Sequence, residues 1–316
     1  MGGEFTVAQR ELAKIPGYKI TNAGDKGFGV FALQVFRRGD LIIAEAPLFS
    51  VHKKDDGGPI DRQSVAAAVD SLSSEGMQKY VSLKNADAEG GRYETPFLAI
   101  FSTNAFQMDS DRSGIFLEIS RFNHSCLPNA RNSWNPDINR MRVYALRDIA
   151  FGDEIFVSYL ASRNVYGSSR AERQTGLMEK NMFTCACAAC GLQGPAAVAS
   201  DERRLQIKAL WESVPYFSPQ QTRDRLLVIV RAIHLLEEEG YAADYDDFTI
   251  DAAAVCAYHS DWASAKYWAT KTYEARVAEF GEDSYRAREV KAMMLGPKTG
   301  PMAGMGNPQN FTGVRL

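Results

Sequence analysis

The chain has 316 residues, enough for two domains that each bury a core. Hydrophobic residues make up 45%, charged residues 24%, and the formal net charge is −3 at pH 7, the balance of a soluble globular protein. No apolar run reaches the ~20 residues of a membrane-spanning helix, no basic tract points to direct nucleic-acid binding, and "MGGEFTVAQRELAKIPG" lacks the apolar stretch of a secretory signal.

Residues 1–17 are read as an N-terminal extension. From residue 18, "YKITNAGDKGFGVFALQVFRRGDLIIAEAPLFSV" has short apolar runs broken by Gly, Asn and Asp, the pattern of β-hairpins. "GFGVFA" also satisfies the dinucleotide pattern G-x-G-x-x-A. That motif requires a helix directly after the glycines, whereas Arg37-Arg38-Gly39-Asp40 makes a turn into another strand, so the Rossmann reading fails. From Asp61 to Leu83, Val65, Val69 and Leu72 recur at helical spacing. "AEGGRYETP" is a loop, and Pro96 opens another helix through Phe106. Strands return at "GIFLEIS", "RMRVYAL" and "EIFVSYL". "RRGDLIIAEA" and "AFGDEIFVSY" echo each other, each placing Gly-Asp before a strand that then pairs with an earlier one.

"FTCACAACG", residues 183–191, holds three of the five cysteines. In an intracellular protein such a cluster favours metal over disulfide, and a closed tetrahedral zinc takes four ligands. Cys256 lies in the apolar helical run "DAAAVCAYHS", where a thiol packs as a small hydrophobe. Cys126, in the turn-forming "RFNHSCLPNA", is left as the fourth partner of Cys185, Cys187 and Cys190. A metal joining them would hold "GDEIFVSYL" beside "RFNHSC".

Beyond the cysteines, "GLQGPAAVASDE" reads as a linker and the remainder as helical almost to the end. "DWASAKYWATKTYEARVAEFG" sets Trp262, Ala265, Ala269 and Tyr273 on one face, as in tetratricopeptide (TPR) helix pairs. The acidic run "EEEGYAADYDD", 237–247, reads as a solvated loop between helices. The last residues, rich in Gly, Pro and Asn, are expected to fray.

Four motifs in order, "KGFGVFA" (26–32), "RFNHSCLPNA" (121–130), "GDEIFVSYL" (152–160) and "FTCACAACG" (183–191), resemble SET-domain protein-lysine methyltransferases, in particular the SET-and-MYND group and its fungal relatives. The resemblance covers roughly residues 18–192. It implies an α+β fold: a β-rich SET domain over 18–160 with a helical insertion at about 60–107, a zinc-binding post-SET segment over 161–192, a helical TPR-like domain over 200–296, and a flexible tail over 297–316. Residues 1–125 contain no cysteine, so the MYND zinc module is absent.

The activity implied is methyl transfer from S-adenosylmethionine to a lysine of a protein or peptide, histones included. The expected setting is a monomer in cytoplasm or nucleus, with no nucleic-acid or membrane partner. The resemblance places the donor's methionine end at Lys26, Gly27, Phe28 and Gly29, where glycines let the main chain approach closely, with Lys26 facing its carboxylate. Asn123 would accept from the ammonium, His124 would offer its main chain to the adenine and be structural in its ring, and Phe183 would stack on the adenine. Tyr159, touching donor and acceptor, is the catalytic candidate. Asn104, Phe106 and Asn181 would line the substrate channel. Many relatives carry a tyrosine where this chain has Asn181, which widens the channel. That departure keeps a methyltransferase of small-molecule nucleophiles in view, beside a catalytically weak SET and TPR-like scaffold. A metal-dependent hydrolase has no support, because four thiolates leave zinc no open position.

Overall fold

The computed structural model describes residues 16–53, 60, 62–300 and 302–316, so most of the expected N-terminal extension lies outside the described residues, as does Asp61. Among the described residues, ten short strands make up the first half, in three small sheets: β1 (Tyr18–Asn22), β2 (Phe28–Ala32), β3 (Leu41–Glu45), β4 (Phe49–His52), β5 (Phe106–Gln107), β6 (Arg112–Ile115), β7 (Asn123–His124), β8 (Ala130–Asn135), β9 (Arg140–Ala145) and β10 (Glu154–Val157). Their orders are β1-β2-β10-β7, β3-β9-β8 and β4-β6-β5. All pairings are antiparallel except β10 with β7, which is parallel and sets Phe156 opposite Asn123 and Val157 opposite His124.

The two Gly-Asp turns are built alike. Gly39 and Gly152 both hold φ at 90°, a conformation that favours glycine, and Asp40 and Asp153 accept from the backbone N–H three residues back. Their strands differ. β10 pairs with the earlier β2, as expected, but β3 pairs with the later β9. Alternating apolar side chains of these strands close the first core around Val30, Phe116, Phe122, Val143 and Ile155.

The insertion carries α1 (Arg62–Asp70), α2 (Ser74–Val81) and α3 (Pro96–Asn104). The single helical pattern read over 61–83 is broken at Ser73, whose side chain caps α2 by accepting from Gly76 N–H. α3 begins at Pro96, as expected, but stops at Asn104, because Ala105 turns extended and Phe106 enters β5. Val65, Val69, Tyr80 and Phe101 give the insertion its own core.

After β10 come α4 (Ser162–Tyr166), α5 (Arg170–Asn181), α6 (Gly194–Ser213), α7 (Thr222–Glu238), α8 (Tyr245–Tyr258), α9 (Trp262–Phe280) and α10 (Tyr285–Leu295). The supposed linker is the start of α6, with Pro195 in its first turn, where a missing N–H goes unneeded. α9 packs on α8 and α10. Ala265 and Ala269 are buried as expected, but the buried face is centred on Trp268 and Thr272, with Trp262 and Tyr273 at its margins.

Two segments read as solvated or frayed are held inside. In 237–247, Glu239, Asp244 and Asp246 are buried and paired with Arg204, Arg131 and Arg276 respectively. The tail returns across the end of α8: Phe311 and Val314 are buried, Phe311 N–H donates to Asp261 at 2.6 Å, and Gln309 N–H donates to His259 O at 3.1 Å. Among the described residues no helix is long and apolar enough to cross a membrane.

Candidate active site

The parallel pairing of β7 with β10 brings two distant motifs into register. Asn129 reinforces it, its Oδ1 accepting from Phe156 N–H at 2.7 Å and its Nδ2 donating to Glu154 O at 2.9 Å. Beyond β10, Tyr159 N–H donates to His124 Nδ1 at 3.0 Å, and Tyr159 Oη donates to Phe122 O at 2.7 Å. Helix α5 is capped after Asn181 by Met182, whose left-handed φ of 56° turns the chain back. That turn carries Phe183 into an aromatic group, with centroids 6.1 Å from His124 and 6.2 Å from Tyr159.

Behind this group lie Cys126, Cys185, Cys187 and Cys190, their sulfurs all within 4.8 Å of one another. Cys126 Sγ is 3.6 Å from Cys190 Sγ, close to the ~3.8 Å edge of a tetrahedron with ~2.3 Å metal–sulfur bonds. Backbone N–H groups of Cys126 and Cys187 face the sulfurs of Cys187 and Cys185 at 3.3 and 3.5 Å. The buried Arg173 brings Nη2 to 4.0 Å from Cys190 Sγ, a positive charge opposite thiolates. Crowding drives the thiol acidities apart: hydrogen bonding to Cys185 pushes Cys126 up, and hydrogen bonding to Cys126 pulls Cys187 down. The donor set therefore fits a four-thiolate metal site, and Cys256 stays apart in the helical core.

The SET domain family matches residues 27–160. Over 290 residues, 90% of this chain and 86% of the relative, the chain is 30% identical to the histone-lysine N-methyltransferase set5 of Schizosaccharomyces pombe. It is 40% identical over 99 residues to the protein-lysine N-trimethyltransferase SMYD5 of Gallus gallus, covering 30% of this chain and 23% of that one. It is 26% identical over 181 residues to the N-lysine methyltransferase SMYD2 of Mus musculus, covering 50% and 39%. The chain belongs to the SET-domain family of protein-lysine methyltransferases.

A cavity of about 1900 Å³ is lined by Lys26, Gly27, Phe28, Asn123, His124, Tyr159 and Phe183, and also by Asn104, Phe106 and Asn181. One space thus holds the expected donor-binding and channel residues, apart from Gly29, which lies behind its wall. Gly29 is a close-approach glycine: a Cβ there would meet Glu154 Oε1 at 2.7 Å and Asn123 Nδ2 at 3.0 Å. The Lys26 ammonium pairs with Glu154 and sits 4.6 Å over the Phe156 ring. Asn104 is buried and structural in its amide, donating to Lys84 O and Ile100 O, both at 2.7 Å. Asn181 has a buried Oδ1 with no partner among the described residues.

Sequence reasoning missed Glu154, Asn129 and Arg173. The first two stand inside quoted motifs, where the type of residue was visible but its partner was not. Arg173 had no local signal, since its sulfur partner is seventeen positions away.

Proposed function

We propose that the chain transfers the methyl group of S-adenosylmethionine to the ε-amine of a lysine on a protein substrate, with histones the first class to test. The reading is supported above all by the convergence of Asn123, His124, Tyr159 and Phe183 on one cavity, backed by the four-cysteine cluster. S-adenosylmethionine would supply an activated methyl on a sulfonium. Asn123 would accept from its ammonium, and Phe183 would pack against its adenine. Tyr159 holds the acceptor: its proton is committed to Phe122 O, which leaves oxygen lone pairs to orient an incoming amine.

No side chain in this group suits a general base. Burial pushes the Tyr159 hydroxyl above its usual range, so it stays protonated. Burial holds His124 down to about 4, and its Nδ1 already accepts from Tyr159 N–H. The lysine is instead delivered neutral, its pKa lowered by desolvation in the channel and by the neighbouring sulfonium.

Zinc on Cys126, Cys185, Cys187 and Cys190 would close the post-SET segment over the donor, a structural role with no open coordination position. The paired helices α8 and α9 suit a TPR-like domain beside the cavity, and the protein works as a monomer in nucleus or cytoplasm. The test is incubation with core histones, and separately with metabolite amines, using labelled S-adenosylmethionine. Label on a histone lysine, abolished by Tyr159→Phe while that variant still binds S-adenosylhomocysteine, is the expected result. Label confined to small amines would assign the alternative acceptor.

A further inference from the structure

Glu154 is not part of the cavity wall, yet both its carboxylate oxygens engage residues that are. Oε1 accepts from Asn123 Nδ2 at 2.8 Å, and Oε2 pairs with the Lys26 ammonium. The same Asn123 NH2 group also donates to Phe28 O at 3.1 Å. Both amide hydrogens thus have acceptors, and this decides which way round the side chain sits. Oδ1, purely an acceptor, is the atom that Asn123 can present to the cavity. The arrangement needs Gly29, whose missing Cβ leaves the space in which Glu154 and Asn123 meet.

We propose that Glu154 is a positioning residue for the methyl donor, fixing the Asn123 amide so that the donor's ammonium meets an oxygen and not an NH2. The proposal rests on the S-adenosylmethionine reading above and goes beyond it, since Glu154 does not touch the donor. An amide has nearly the same shape either way round, so packing alone does not choose between the two orientations. Reversed, Asn123 would aim a donor at a cation. A glutamine at 154 creates that situation. Its single oxygen goes to the charged donor Lys26, its NH2 then faces the Asn123 NH2, and Asn123 turns over to escape. With Lys26 also removed, the glutamine oxygen is released to accept from Asn123 again.

The test is calorimetric titration of the full chain, loaded with zinc, using two nucleosides. S-adenosylhomocysteine carries the ammonium; methylthioadenosine lacks the amino-acid end. Glu154→Gln should weaken S-adenosylhomocysteine roughly ten- to a hundredfold, the size of a hydrogen bond to a charged group, and leave methylthioadenosine unchanged. In a Lys26→Met background the same Glu154→Gln change should have little effect, the signature of coupling through one network. Equal loss for both nucleosides, or an equal effect in both backgrounds, would reduce Glu154 to general packing and overturn the proposal. Wild-type binding with an unaffected Glu154→Gln variant overturns this proposal alone. Wild-type protein that binds neither nucleoside overturns the donor reading and this proposal with it.

Discussion

The imidazole of His124 joins the tyrosine at the cavity to the cysteine cluster. Because Tyr159 N–H donates to Nδ1 at 3.0 Å, the ring proton resides on Nε2, which lies 3.3 Å from Cys126 Sγ and donates to it. One buried ring therefore fixes the position of Tyr159 relative to the four-cysteine cluster. His124→Phe keeps a planar aromatic ring, somewhat larger, and removes both bonds, so it should lower stability by about 1–3 kcal/mol and speed zinc loss to a chelator. Turnover should fall by a similar factor at every pH. Loss of the acidic limb of the pH–rate profile would instead make His124 a proton acceptor.

Cys126 tests the cluster from its distant end. Cys126→Ser leaves three sulfurs and a poor fourth ligand, and a metal on the cluster would tie the turn at 123–127 to residues 185–190. Purified wild type should carry about one zinc per chain and the variant none, read by elemental analysis. Amide exchange should quicken in both segments together. Wild type free of zinc, with both proteins melting alike, would remove the metal from the fold.

Asn181 has a buried amide oxygen without a partner among the described residues, at the last residue of α5 where it lines the cavity. An unpaired buried acceptor is unfavourable by about 1–3 kcal/mol. Asn181→Tyr removes that acceptor and fills space. Mass spectrometry of the product should then shift towards fewer methyl groups per lysine. An unchanged distribution would place Asn181 outside the path of the substrate.

These sites were legible in the sequence to different depths. The cluster was readable because cysteine chemistry allows few partners: once Cys256 was assigned to an apolar helix, Cys126 remained. Asn123, His124 and Tyr159 stood in short motifs, and the roles expected of them came from the family those motifs resemble. The acidic run 237–247 misled because charge suggests solvent, whereas burial here depends on arginines far away in sequence, Arg131 and Arg204 among them. The tail misled for a related reason: Gly and Pro density hid Phe311 and Val314, two apolar residues that tie it to α8. Local pattern carries propensity; long-range pairing is invisible to it.

Arg131 provides the sharpest case of such pairing. Its Nη1 is 2.5 Å from Asp244 Oδ1 and 2.7 Å from Glu279 Oε2, so one cation joins β8 to the start of α8 and the end of α9. Asp244 N–H also donates to Glu279 Oε1 at 3.1 Å. One guanidinium facing two buried carboxylates leaves an excess negative charge, and burial pushes Glu279 from 4.5 up to about 8. The sign follows. In the unfolded chain Glu279 loses its proton near 4.5, while the folded protein keeps it to about 8, so unfolding releases a proton between those values and this site's contribution to stability falls as pH rises through that window. Glu279→Gln abolishes the titration. Its melting temperature relative to wild type should therefore rise from pH 5 to about pH 8 and level off towards pH 9. Arg131→Met leaves two carboxylates uncompensated and should destabilise by about 3–5 kcal/mol, more at pH 9 than at pH 5. A flat difference between Glu279→Gln and wild type across that range would mean that Glu279 is already ionised against Arg131, and that the pair is an ordinary buried salt bridge.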